Sequence, residues 1–317
     1  MSERPPDAVV WDLCRGALAT RVLGIVADLR VADVLADGPR PVVEIAAEVG
    51  ADGGALHRFL RALASDGLFA EEEDGVFRNT AASELLCGEG WVDFAHLCGG
   101  VWHRAAGELD ATAGDPSFPR VFGTDFWTWL LAHPDERAAF DRAMLQGLET
   151  RVARLATLAW RGDETVVDVG GGNGSLLVEL LRLQPGLRGI VFDLPETNRD
   201  DVVLGDRIEF VAGDVFESVP RGDVYILGTV LHDWDDERAA AILRTIRTAA
   251  PTDARLLVLD AVVRPGNDPD AAKWLDLLLL ALFAGRERNE KQWRTLLAAG
   301  RFEPVRFHDR LIEARCR

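Results

Sequence analysis

From Thr165 the chain repeats one pattern: a short apolar run that stops at glycine or aspartate, then a stretch with helical spacing. The runs are Thr165–Val169, Gly189–Phe192, Ile208–Val211, Val224–Leu227 and Leu256–Leu259. Brief, almost continuous apolar runs suit strands covered on both faces. Their alternation with helices predicts an α/β, Rossmann-like doubly wound sheet. Sheets of this kind take ligands at the carboxyl ends of their strands. The residues that follow each run therefore carry the functional information.

The first run leads through Asp168-Val169-Gly170-Gly171-Gly172-Asn173-Gly174 into a predicted helix over 175–182. Glycines there let backbone approach a ligand closely and set amide donors at a helix N-terminus. The spacing is Gly-x-Gly-x-Gly, which differs from the dinucleotide pattern and lacks the Lys-Ser/Thr of a P-loop. The second run ends at Asp193, about 20 residues beyond the glycines, where an acid grips ribose hydroxyls. The third ends in Gly213-Asp214-Val215-Phe216, an acceptor beside apolar surface suited to adenine. Each acid alone is also an ordinary turn former; three in order point to a nucleoside-containing ligand. The fourth run opens into Leu231-His232-Asp233-Trp234-Asp235-Asp236-Glu237. Helix capping accounts for the acids but not for the histidine. An imidazole at a strand end, ordinarily titrating near 6.5, can take a proton from a substrate hydroxyl.

The first hundred residues read as short helices. Residues 11–35 have apolar side chains at helical spacing, 42–49 and 55–63 form a helix-turn-helix, and 68–77 a small hairpin, together a winged helix. The second helix offers only His57, Arg58 and Arg61 for reading bases, and residues 1–90 carry 16 acidic side chains against 8 arginines. The whole chain has a formal charge of −17. Such a surface repels phosphate backbones, so dimerisation or packing is the expected use of this unit. Trp11, Leu13, Leu18, Val22, Leu23, Ile25 and Val26 exceed what one short amphipathic helix needs, which predicts a homodimer. Residues 122–130 are dense in aromatics, either core or the wall of a pocket for a flat substrate.

Cys14, Cys87, Cys98 and Cys316 are irregularly spaced, with no Cys-x-x-Cys pair, so neither a metal site nor a disulfide framework is expected. The first ten residues lack the apolar core of a signal peptide. The most apolar run, 275–283, contains Asp276 and is far shorter than the roughly 20 residues that cross a bilayer. A cytoplasmic protein without membrane contact is expected.

Asp168–Gly174, VFDLP at 191–195, GDVF at 213–216, LHDW at 231–234 and GRER at 285–288, in this order, resemble the S-adenosylmethionine-dependent small-molecule O-methyltransferases. That family includes plant caffeate- and flavonoid-type enzymes and bacterial antibiotic-tailoring enzymes. The likeness extends over nearly the whole chain. It implies a winged-helix dimerisation domain at 1–100, a helical linker and substrate-pocket segment at 101–160, and a class I methyltransferase catalytic domain at 161–317. The cofactor is then S-adenosylmethionine and its product S-adenosylhomocysteine, with no metal. By the same resemblance Gly170, Gly172, Asp193, Leu194, Asp214, Val215, Phe216 and Gly228 belong to the cofactor site. His232 is the general base, and Asp260 and Glu287 flank and orient it. Trp102, Phe126, Trp127, Met144, Asp233, Trp274, Leu278 and Leu279 are the candidate acceptor contacts.

The chain departs from the pattern in several places. Asp260 stands where plant members carry Glu, one methylene longer. Gly228 replaces a lysine near the cofactor, and Leu148 falls where a polar residue often meets its tail. Leu278 and Phe283 make one pocket wall more apolar, which favours a flat aromatic acceptor bearing a phenol or similar hydroxyl. Relatives of this fold methylate nitrogen or carbon, or perform non-methylating tailoring chemistry, and these are the alternatives. A winged-helix regulator sensing a nucleoside ligand is the alternative from another class. His232 favours methylation of a hydroxyl, because that acceptor needs a base.

Overall fold

Two glycines decide how the N-terminal helices meet. In the computed structural model, which describes residues 5–197, 205–308 and 310–317, the helix Pro6–Asp28 crosses the helix Trp91–Gly99. A Cβ on Gly24 would lie 2.7 Å from the Gly99 Cα, and one on Gly99 would lie 2.6 Å from the Gly24 Cα. Only glycine permits backbones this close. Arg21 Nη1 donates to the Gly99 carbonyl at 2.8 Å across the same contact.

These helices belong to the first of two units, Met1–Asp110 with Ser117–Gln146; the second is Ala111–Pro116 with Gly147–Arg317. The predicted helix-turn-helix is present as Val42–Val49 and Gly53–Ser65. Gly50 ends the first helix at φ 68°, and Asp52 caps the second by accepting from the Ala55 amide at 2.7 Å. Strands β1 (Arg40–Pro41), β2 (Phe69–Glu73) and β3 (Val76–Asn79) form an antiparallel wing in the order β1-β3-β2. Ile45, Leu56, Leu60, Phe69 and Phe77 are its interior. His57 is spent inside this unit, 3.3 Å from Glu71 and edge-on to Phe77.

The Pro6–Asp28 helix is apolar on more than one side. Val26 is buried, whereas Trp11, Leu13 and Leu18 are each more than 60% exposed. The aromatic stretch is largely core. Phe118 stacks on Phe122 at 4.3 Å, and Phe126 meets Phe118 and Phe140 at 5.2 and 5.5 Å.

In the second unit seven strands form one sheet. They are β4 (Thr165–Val169), β5 (Arg188–Asp193), β6 (Ile208–Ala212), β7 (Val224–Gly228) and β8 (Arg255–Leu259), then β11 (Phe302–His308) and β12 (Leu311–Cys316). The order is β11-β12-β8-β7-β4-β5-β6, all parallel except β12, which runs antiparallel to both neighbours. Strands β9 (Val262–Val263) and β10 (Arg288–Asn289) form a separate parallel pair. Side chains alternate across the sheet. Val167, Val169, Tyr225, Leu227, Leu256 and Val258 pack on the helices Asp236–Ala249 and Glu290–Ala299. Val166, Val224, Ile226, Leu257 and Leu259 pack with Leu177, Leu180 and Leu155 of the helices Ser175–Leu183 and Leu148–Ala156. The five expected runs are all strands, within a residue at each end; β11 and β12 were not foreseen. Among the described residues no helix is long and apolar enough to cross a membrane.

One titratable contact ties three helices of the first unit. His96 Nδ1 lies 2.6 Å from Asp28 and Nε2 lies 3.2 Å from Glu136 on the helix Pro134–Met144. The hydrogen bonds to Asp28 and Glu136 raise the imidazole to about 10 against the opposing effect of burial. The folded value exceeds the unfolded one near 6.5. The stabilisation is therefore complete below about pH 6.5 while both acids stay ionised, and is lost as pH rises toward 10. His96→Gln should lower the melting temperature clearly at pH 6.5 and hardly at all at pH 10; equal losses at both, in paired thermal scans, would refute the clamp.

Candidate active site

Because both faces of the sheet are apolar, the polar side chains of the second unit collect where strands end. β4 pairs with β5 on one side and β7 on the other, so the chain's winding reverses there and opens a crevice beyond their carboxyl ends. After β4, Gly170, Gly172 and Gly174 adopt φ values of 71°, 58° and 87°. The turn packs down on its surroundings: a Cβ on Gly170 would press on Val230, and one on Gly171 on the Asp168 carboxylate. Gly172 has open space where its Cβ would lie.

Asp193 holds this turn from the end of β5. Its Oδ2 accepts from the Gly172 amide at 2.7 Å, and Oδ1 accepts from the Leu194 amide and the Thr197 hydroxyl at 2.7 and 2.8 Å. Leu194 itself is about half exposed. Asp168 lies beneath, fully buried, with Oδ2 lacking a hydrogen-bond partner. Burial, reinforced by nearby Asp193 and relieved only partly by Arg151, pushes its carboxyl up to about 7. After β6, Asp214 accepts from the Phe216 amide at 2.8 Å. Val215 and Phe216 are half-buried. Phe216 meets Trp234 edge-on at 5.0 Å, and the Arg238 guanidinium sits 4.5 and 4.6 Å from the two rings. This cation–π sandwich joins the ends of β6 and β7, and sequence spacing did not reveal it.

The β7 end is strained. Thr229 takes a φ of 55°, rare for a β-branched residue and costing on the order of 1–3 kcal/mol. Beyond it a short turn, Leu231–Asp233, carries His232. Gly228 has room for a side chain: an added Cβ would meet only Leu259, at 3.8 Å.

His232 is buried among carboxylates. Nδ1 lies 3.0 Å from Glu287 Oε1, and Nε2 lies 3.5 Å from Asp233 Oδ1. Asp260, just past β8, is also buried, and neither of its oxygens has a hydrogen-bond partner. Glu287 therefore orients the ring directly, whereas Asp260 acts on it by charge. Burial disfavours the imidazolium, but Asp260, Asp233 and Glu287 together overcome that and raise His232 to about 10. The three acids hold it well above the ordinary value near 6.5. Burial pushes Asp233 up to about 7 and Asp260 to about 6, in both cases opposed by His232.

The segment Gly285–Arg288 grips the turn. A Cβ on Gly285 would collide with the His232 carbonyl oxygen and the Asp233 backbone. The Arg286 amide donates to the His232 carbonyl at 2.8 Å, and the Glu287 amide donates to Asp276 Oδ1 at 2.7 Å. Arg288, which sequence reading passed over, is completely buried beneath the turn.

The remaining acceptor candidates are described within their own units. Trp102 and Phe126 are interior to the first unit, and Trp127 and Met144 are half-buried there. On the helix Ala271–Leu282, Leu279 is core, Leu278 half-buried and Trp274 about two-thirds exposed.

A glycine turn over β4, acids after β5 and β6, and a histidine after β7 on this sheet order define a class I methyltransferase. Family profiles agree: residues 102–303 match the O-methyltransferase domain and 11–89 the O-methyltransferase dimerisation domain. The chain belongs to this O-methyltransferase family and is an S-adenosylmethionine-dependent enzyme. It is 37% identical over 313 residues to a phenazine O-methyltransferase of Lysobacter antibioticus, covering 94% of this chain and 91% of that one. It is 35% identical over 316 residues to the O-demethylpuromycin-O-methyltransferase of Streptomyces alboniger, covering 94% and 83%. Among solved structures, LaPhzM superposes with a TM-score of 0.92 at 35% identity over 99% of this chain and all of the other. The neocarzinostatin O-methyltransferase NcsB1, bound to S-adenosylhomocysteine and 1,4-dihydroxy-2-naphthoic acid, gives 0.78 at 33% identity, covering 94% and 96%.

Gly285→Ala tests the packing directly. Forcing a methyl against the His232 carbonyl should destabilise the fold by about 1–3 kcal/mol in urea unfolding. An unchanged midpoint would mean that the two segments are not pressed together.

Proposed function

We propose that the enzyme methylates a phenolic hydroxyl of a flat aromatic secondary metabolite, with His232 as general base. The observation that carries this reading is the His232–Glu287 contact at 3.0 Å, at the carboxyl end of β7. With Nδ1 committed to a carboxylate, Nε2 is the atom that gains or loses the proton.

The strand-end residues suit the donor. S-adenosylmethionine carries a sulfonium, an ammonium and a ribose diol, and the crevice offers Asp168 with an unpaired oxygen, Asp193 and Asp214. Gly170 and Gly172 would lie beside its methionyl part, Asp193 and Leu194 at the ribose, and Asp214, Val215 and Phe216 at the adenine. Gly228 borders that space without lysine's charge. When bound, the sulfonium supplies an activated methyl group for in-line displacement.

The chain's own residues then manage the proton. A phenol near pKa 10 is ionised in only about one molecule per thousand at pH 7. His232, raised to about 10, holds its own proton at pH 7; it takes the phenol's proton from its neutral form and stabilises the phenolate when charged. Glu287 holds the ring, Asp260 and Asp233 supply compensating charge, and an imidazolium stands opposite the phenolate as the oxygen attacks. Asp233, Trp274 and Leu278 are the contacts assigned to the acceptor on this unit. The relative crystallised with a dihydroxynaphthoic acid supports an aromatic acceptor class.

The reacting pair has lost one proton from a group titrating near 10. Turnover should therefore climb between pH 7 and 9 instead of levelling above 6.5. His232→Ala should lower turnover at pH 7 by about two orders of magnitude or more, with partial recovery at high pH and unchanged cofactor affinity by calorimetry. Wild-type turnover in the mutant would remove His232 from the mechanism.

The dimerisation-domain match and the exposed Trp11, Leu13 and Leu18 support a homodimer built by the first unit. Replacing Trp11 and Leu13 together with Glu should halve the mass seen by light scattering at micromolar concentration. A dimer that survives would place the interface elsewhere.

A further inference from the structure

Arg288 has no place in the proton chemistry just described, yet it is one of the largest fully buried side chains in the protein. A buried guanidinium is tolerated only where its donors find acceptors. Nε donates to Asp236 Oδ1, Nη1 to the Leu231 carbonyl and Nη2 to the Trp234 carbonyl, each at 2.8 Å. Nη1 also reaches the Arg286 carbonyl at 3.4 Å. The two shorter carbonyl contacts bracket His232 and Asp233 on either side.

The same residue connects the other two acids. Arg288 lies on β10, next to Glu287, and pairs in register with Val262 of β9, two residues beyond Asp260. Its guanidinium lies 5.4 Å from the ring of Trp293, whose Nε1 donates to the Ala261 carbonyl at 2.9 Å. Three segments that are apart in sequence, bearing His232, Asp260 and Glu287, are thus joined at one residue.

We propose that Arg288 is a positioning residue that sets the His232–Glu287 geometry by holding the backbone of the 231–234 turn against the 285–289 segment. The inference rests on the reading of His232 as general base. The groups facing the imidazole are Asp233 on its own turn, Asp260 after β8 and Glu287 before β10; Arg288 offsets the charge of Asp260. Lysine keeps the charge but replaces a planar fork with a single point donor, so it cannot bridge both carbonyls and Asp236.

The test is NMR titration of the His232 imidazole in protein labelled at histidine carbons, assigned with His232→Gln. Wild type, Arg288→Lys and Asp236→Ala are compared, alongside turnover against pH. Arg288→Lys should lower the His232 midpoint by about one pH unit or more as the Glu287 contact loosens. Asp236→Ala, which removes the acceptor of Nε at the half-exposed end, should lower it less. Unchanged midpoints in folded variants, with only a lower melting temperature, would overturn the proposal and leave Arg288 a purely structural residue. If Arg288→Lys does not fold, Asp236→Ala decides alone by the same criterion. A midpoint that moves while the pH limb of turnover stays put would retain the positioning role and refute His232 as the base.

Discussion

A parallel sheet buried on both faces leaves no room for polar chemistry except at its edges and strand ends. β4, β5 and β7 are apolar on alternating sides, with helices over each. Most charged side chains assigned to the site therefore sit at or just past a strand's last residue: Asp193 at the end of β5, Asp214 after β6, His232 after β7 and Asp260 after β8. Strand spacing near 4.8 Å then brings together residues that lie dozens of positions apart in sequence. The same constraint explains the strain at Thr229, where the chain must turn at once to keep His232 at the crevice.

The acids around His232 have to be understood as a set. An imidazolium sealed away from water is costly, and so is each carboxylate. Together they stabilise one another, since three acids outweigh the burial that would otherwise neutralise the ring. Their contributions differ in kind. Glu287 makes a directional contact that fixes the ring, while Asp260 has no hydrogen-bond partner and acts through space. The shorter side chain at 260 thus preserves the electrostatic role without requiring contact.

Most of the strand-end set was legible in the sequence because each residue follows an apolar run whose length and position announce a strand. Gly170, Asp193, Asp214 and His232 could be read this way from local pattern alone. Arg288 could not, because its short contacts, two backbone carbonyls and the Asp236 carboxylate, all lie more than 50 residues away. The displaced pKa of His232 was equally hidden, since it sums three acids from three segments. β11 and β12 escaped for a different reason. β11 is an edge strand with a proline and a register shift between Pro304 and Arg306, so its pattern lacks the continuous apolar run of the interior strands. The aromatic stretch of the first unit carried two readings from sequence, and packing at Phe126 favours core.

The carboxylate of Asp193 shows how fold and ligand site share one group. An ionised carboxylate offers about four acceptor positions, and the described residues use three of them, through the Gly172 and Leu194 amides and the Thr197 hydroxyl. The Gly172 bond holds the glycine turn in place before any ligand arrives. A ribose offers two hydroxyls, one more than the vacancy accommodates. Accepting both would require displacing one of the existing donors. The Thr197 hydroxyl is the one that can rotate away, because the two amides are fixed by the backbone. The acid assigned to the ribose is thus also the brace of the turn, and removing it would disturb the glycine turn as well as the sugar.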